Sequence, residues 1–186
     1  MGARTVVLVE GASDRLALEA LAERLALNLD RVQIQDVGGV TNFRSFLLRY
    51  GPLGEGRRVA GLCDFPEWPI VLNALAASGV GSPLSFATLR DCGFFVCRAD
   101  LEDELLAAVG APTVLRIIEQ HGDLPRFRSM QRQLPYRSLS LETQVRHLMT
   151  QKKIAYAPAL IAALSLSRVP PPLADVLRYA TAATRP

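Results

Sequence analysis

Acidic residues follow three separate apolar runs in this chain, and carboxylates spaced in that way are the usual material of a cation site. Glu10 and Asp14 follow TVVLV (5–9), Asp64 and Glu67 follow RVAGLC, and Asp100, Glu102, Asp103 and Glu104 follow GFFVC (93–97). Two carboxylates about 4 Å apart repel by roughly 4 kcal/mol at an effective dielectric near 20. Several acids gathered at one edge therefore call for a hard divalent cation, Mg²⁺ or Mn²⁺. Mg²⁺ takes one or two carboxylates with waters and substrate phosphates, a donor set suited to phosphoryl chemistry. Glu10 and Asp64 carry most of this reading, because each interrupts the exit of an apolar run and caps no helix. Asp14, Glu67 and the acids at 102–104 fall in expected first helical turns, where the macrodipole alone favours acid.

These acids are useful together only if the elements before them share an edge. TVVLV and RVAGLC show no polar alternation, the pattern of strands buried on both faces of a parallel sheet. Between the acidic positions the pattern turns helical. SDRLALEALAERLAL repeats its leucines at helical spacing, with Ser13 as an expected cap and Asp14 as the first helical residue. VQIQDV (32–37) reads as a short strand, GGVTNFRSFLLRYG as a turn and helix, EWPIVLNALAASG as a helix, LSFATLRDCG as a short helix and DLEDELLAAVG (100–110) as a helix. Strands alternating with helices imply right-handed βαβ units, which place the carboxyl ends of the strands along one edge. Beyond Gly110 the periodicity stays helical. The expectation is an α/β fold with a four-stranded, mostly parallel sheet (1–110) and an all-helical extension (111–186) packed on it.

Charge divides along the same line. Residues 1–110 sum to −4 and residues 111–186 to +7, so an acidic half suited to cations precedes a basic half suited to a polyanion. Three cysteines without CxxC spacing argue against a disulfide framework or a zinc site, and two histidines exclude a histidine-rich one. The first residues lack the apolar core of a signal peptide, and no stretch has the roughly 18 apolar residues of a membrane helix. A cytoplasmic protein that meets no membrane is expected. No GxxxxGK[ST] occurs, so the chain carries no P-loop ATPase of its own.

At VLVEGASD, with Asp64 and DLEDEL following, the sequence resembles the TOPRIM domain, a Rossmann-like metal-binding module shared by topoisomerases, primases and certain nucleases. VLVEGASDRLALEALAERL, VGGVTNFRSFLLRYGP, RVAGLCD, FFVCRADLEDELL and KKIAYA are similar to the TOPRIM region of OLD-family endonucleases. The resemblance implies one or two divalent cations for phosphodiester hydrolysis. Glu10 and Asp14 would form the first acidic motif, Asp64 the second, and Glu102 with Asp103 the third. It implies a charge-neutralising lysine as well, for which Lys153 is the candidate and Lys152 the next. The second motif departs from the usual DxD: here it reads Asp64-Phe65-Pro66-Glu67, and Pro66 at the opening of a helix could turn Glu67 toward the site. OLD enzymes also carry an ATPase domain, so ATP dependence here would need a separate ATPase subunit.

Gly38 and Gly39 precede a helix start, where a phosphate can approach backbone amides, although a plain turn has the same composition. Arg126, Arg128, Arg132, Arg137 and Arg146, with Phe127 and Tyr136 among them, could hold the phosphate backbone of DNA or RNA without reading sequence. A positive mean hydropathy of +0.18 points to a buried interface such as a homodimer's. Two rivals stand beside the nuclease reading. One is a nucleic-acid-binding or partner-activated subunit with a degraded acidic site. The other is a phosphoacceptor receiver domain, disfavoured because FFVCRAD offers arginine where that design wants lysine.

Overall fold

A computed structural model describes residues 4–81 and 85–182. Leu84, the first residue of the expected helix LSFATLRDCG, and Ala183, the last of the helical stretch PPLADVLRYATAA, lie outside them. Strand β1 (Thr5–Val9) is fully buried and pairs on one side with β2 (Val32–Asp36) and on the other with β3 (Arg58–Asp64), which pairs in turn with β4 (Phe94–Cys97). Every pairing is parallel, in the order β2-β1-β3-β4. The register sets Val9 opposite Asp36 and Asp64 opposite Cys97, which aligns the carboxyl ends.

Alternate residues of β1 and β3 face opposite layers, and both layers are apolar, which is why these strands show no polar alternation; β2, on the edge, reads VQIQD and is half-buried. Val6, Leu8, Val59, Cys63 and Phe94 pack under α2 (Phe43–Tyr50) and α3 (Trp68–Ala77). Val7, Val9, Ala60, Leu62 and Phe95 face α1 (Ala12–Arg24) together with the later helices. Those are α4 (Leu101–Val109), α5 (Ala111–Gln120), α6 (Leu124–Gln131), α7 (Leu141–Thr150), α8 (Lys153–Ala163) and α9 (Pro171–Thr181). Helix α8 lies along α1, and α9 packs on β1, β3 and β4. One apolar core thus joins the sheet to helices of the C-terminal part.

Gly61 of β3 leaves room for the Phe94 ring of β4. A Cβ there would run into the Phe94 ring and stand 3.2 Å from the Leu8 carbonyl oxygen. Two local expectations differ from what is found. The cap of α1 is Gly11 rather than Ser13, because the Asp14 carboxylate accepts the Gly11 N–H at 2.9 Å while Ser13 is buried. The short helix expected after α3 contracts to a 3-10 turn, Phe86–Thr88.

Candidate metal centre

The chain leaves β1 toward one sheet face and β3 toward the other, so their carboxyl ends flank the switch point where open α/β sheets bind ligands. Glu10 follows β1 and Asp64 ends β3. Glu10 Oε1 accepts the backbone N–H of Asp64 at 3.2 Å, locking the first acid to the end of β3. Phe65–Glu67 form a 3-10 turn with Pro66 at its start, and this tight turn brings Glu67 back over the strand end. One carboxylate oxygen from each of Glu10, Asp64 and Glu67 lies within 4.8 Å of the others. Glu67 Oε2 is buried without a hydrogen-bond partner among the described residues. An orphaned carboxylate oxygen beside two further carboxylates is a donor set that a hard divalent cation satisfies.

The electrostatics carry the same mark. Burial, reinforced by the approach of Glu67, pushes Glu10 up to about 8. Burial, with the charges of Glu10, Asp14, Asp100 and Glu102, pushes Asp64 up to about 8. Asp14 rises to about 6, again chiefly through burial, and feels Glu10 and Glu102. These carboxyls occupy one shared field, and without a cation they hold protons well above the ordinary carboxylate range.

The acids after β4 divide their work. Glu102 is 5% exposed and accepts Lys153 Nζ at 3.0 Å. Asp100 caps α4 by accepting the Asp103 N–H at 2.8 Å, and both Asp100 and Asp103 pair with Arg146 of α7. Glu102 therefore faces the Asp14 side of the site, whereas Asp103 turns to the helical part.

Lys153 owes its position to α8, which is anchored at both ends. At the start, Asp123 accepts Lys152 Nζ at 2.6 Å and the Tyr156 hydroxyl at 2.7 Å. At the far end, the Arg24 guanidinium of α1 bonds the carbonyls of Ile161 and Leu164. Burial pulls the Lys153 ammonium down, but the hydrogen bond and charge of Glu102 outweigh it and leave it above its ordinary value. Asp123 carries no motif, and its only trace in the sequence is a place just before Leu-Pro at a helix start.

Among the residues expected to meet nucleic acid, Gly38 and Gly39 adopt positive φ (71° and 113°), a turn that L side chains resist. The Gly39 N–H already donates to the Glu10 carbonyl at 2.9 Å, so the turn braces the first acid. Arg126, Arg128, Arg132 and Arg137 are exposed, with Arg126 bonded to Gln151. Arg146 and Lys152 are half-buried in the ion pairs already described.

No curated protein matches the chain by sequence. Residues 3–54 match the family model of the Overcoming lysogenization defect protein-like TOPRIM domain. The C-terminal region of the Burkholderia pseudomallei OLD protein is similar in structure, with a TM-score of 0.75 and 22% identity over 97% of this chain and 98% of that one. The same region of the Xanthomonas campestris pv. campestris OLD protein gives TM-scores of 0.73 and 0.74 in two structures. Each is 24% identical over 96% of this chain, and covers 92% and 94% of those chains. The fold is the TOPRIM fold of the OLD C-terminal region. In that TOPRIM frame the β1 end supplies Glu10 and Asp14, and the β3 end supplies Asp64 and Glu67, three residues apart. Among the described residues no helix is long and apolar enough to cross a membrane.

Proposed function

We propose that the chain is a divalent-metal-dependent nuclease that hydrolyses phosphodiester bonds of DNA at the β1 and β3 ends. The observation that carries this reading is the convergence of Glu10, Asp64 and Glu67, with Glu67 Oε2 buried and without a hydrogen-bond partner among the described residues. Glu10, Asp64 and Glu67 would hold one Mg²⁺ or Mn²⁺, and Asp14 with Glu102 would supply the acids for a second. A bound cation lowers the pKa of water to make a nucleophile and offsets charge on the oxygens of the displacement. The residues of the chain do the rest. Glu10 and Asp64 would bind a cation in their deprotonated forms, and the Asp64 amide keeps the Glu10 carboxylate aimed at the shared space. Lys153, held protonated by Glu102, offers its ammonium to the phosphate oxygens as negative charge builds on them. Arg126, Arg128, Arg132 and Arg137 supply exposed cations for flanking phosphates, a contribution that salt weakens.

The test is cleavage of supercoiled plasmid and of labelled single strands with Mg²⁺ or Mn²⁺, comparing the native chain with Glu10→Gln and Asp64→Asn. Metal-dependent cutting lost in both variants is the expected result. Metal binding without cutting, in any salt or metal, refutes catalysis by the isolated chain and favours a partner-activated subunit.

A further inference from the structure

Beside the carboxylates lies a surface that their chemistry does not use. Phe65 sits next to Asp64 in the chain and Trp68 next to Glu67, and Phe86 reaches them from the segment after α3. Phe86 meets Phe65 edge to face with centroids 6.0 Å apart, and Trp68 with centroids 5.3 Å apart. Phe65 and Phe86 are each 49% exposed. Trp68 is partly buried and roots the group in the core beneath α3. Edge-to-face packing fixes the three rings relative to one another without covering them. On the other side, the Phe65 N–H donates to the Ala99 carbonyl at 3.2 Å. Ala99 follows Arg98, an exposed residue whose guanidinium makes no ion pair among the described residues.

The geometry points to this aromatic group as a stacking platform for unpaired nucleobases, so that the substrate is a single-stranded or frayed nucleic acid. This rests on the proposed nuclease activity for its setting and goes beyond it in naming the strand state. In a duplex the base faces are occupied by their neighbours, and a protein ring can stack only on a base that is unpaired or extruded. A rigid ring group that is continuous in sequence with two of the three carboxylates holds such a base while the adjoining phosphate lies at the acids. Arg98 then meets the next phosphate. The acids themselves repel a polyanion, so the rings and Arg98 supply attraction where the local charge does not.

Trp68 is the only tryptophan in the chain and reports on its own surroundings. The experiment titrates an oligothymidylate, and an abasic strand of equal length and charge, into the full chain with Ca²⁺, following Trp68 emission and anisotropy of the labelled strands. Oligothymidylate is expected to quench Trp68 and to bind about 5- to 100-fold more tightly than the abasic strand. Phe86→Ala should remove that preference, and Phe86→Tyr should retain it. Equal affinity for the two strands, or tighter binding of duplex that Phe86→Ala leaves unchanged, overturns the platform. So does a dimer by sedimentation that Phe86→Ala dissociates without altering strand affinity, since a second copy then covers the rings. Because binding is read without cleavage, a base preference in a chain that never cuts supports the platform while refuting the nuclease. Cutting without a base preference does the reverse.

Discussion

Replacing Glu67 by glutamine isolates the feature in which this chain departs from DxD. The Glu67 carboxylate shares a space in which oxygens from Glu10 and Asp64 lie within 4.8 Å. At that distance two full charges repel by about 3.5 kcal/mol at an effective dielectric near 20. Near pH 8, where Glu10 and Asp64 titrate, each is about half ionised, and their partial exposure screens what remains. About 1–2 kcal/mol of repulsion is left for Glu67→Gln to relieve in the metal-free chain. For a domain of this size each kcal/mol moves Tm by about 2–4 °C, so the variant should melt roughly 2–8 °C higher in EDTA. With Mn²⁺ the order reverses. The native chain gains stability as the logarithm of metal over Kd, and a site short of one carboxylate should keep less than half of that gain. Thermal melting of both proteins across a Mn²⁺ titration reads the two effects together. A variant that melts lower in EDTA yet keeps the full metal shift would refute the reasoning, and Glu67 would then serve only the helix dipole.

The metal-free chain should also lose stability as pH rises. Glu10 and Asp64 keep protons up to about 8 when folded but release them near 4 when unfolded, so between these limits the folded state binds more protons. Tm in EDTA should fall from pH 5 to pH 8.5 and the Mn²⁺ shift should grow; a flat or rising profile contradicts the shared field. Asp123→Asn should cost about 1–3 kcal/mol in urea unfolding, because Lys152 and Tyr156 lose a charged acceptor. It should also slow cleavage while leaving Mn²⁺ affinity unchanged, and an unaltered rate would show that α8 needs no anchor there. Gly61→Ala should destabilise by about 1–3 kcal/mol, since the new Cβ meets Phe94 and the Leu8 backbone. An unchanged urea midpoint would show that the ring moves aside freely.

Much of the site could be read ahead of the structure, because a strand buried on both faces tolerates no acid and so makes Glu10 and Asp64 conspicuous at its exit. The spacing Asp64-Phe65-Pro66-Glu67 pointed to a turn, and the 3-10 geometry supplies it. What the sequence hid is rotational. Around the start of α4 each residue turns by about 100°, so DLEDEL sends Glu102 inward, leaves Asp100 as the cap and aims Asp103 at Arg146. No local pattern marks a partner more than 40 residues away, nor that Asp123 would hold α8. Ser13 misled because Asp14, at the third helical position, reached back to Gly11 and took the capping role itself. The helical periodicity after Gly110 was plain, but amphipathic stripes do not name the face they will cover.

The packing of α9 on β1, β3 and β4 has a consequence for how the protein is made. As the chain leaves the ribosome, α9 emerges more than 160 residues after the β1 strand that it helps to cover. Until then Val7, Val9, Ala60, Leu62 and Phe95 have α1 on their face but not the later helices, and this half-covered parallel sheet is prone to misassociation. Lys153 likewise reaches Glu102 only after α8 has been synthesised. A nascent chain therefore has its acids in order before it has the ammonium that completes the site, and competence arrives late, with the closing of the core.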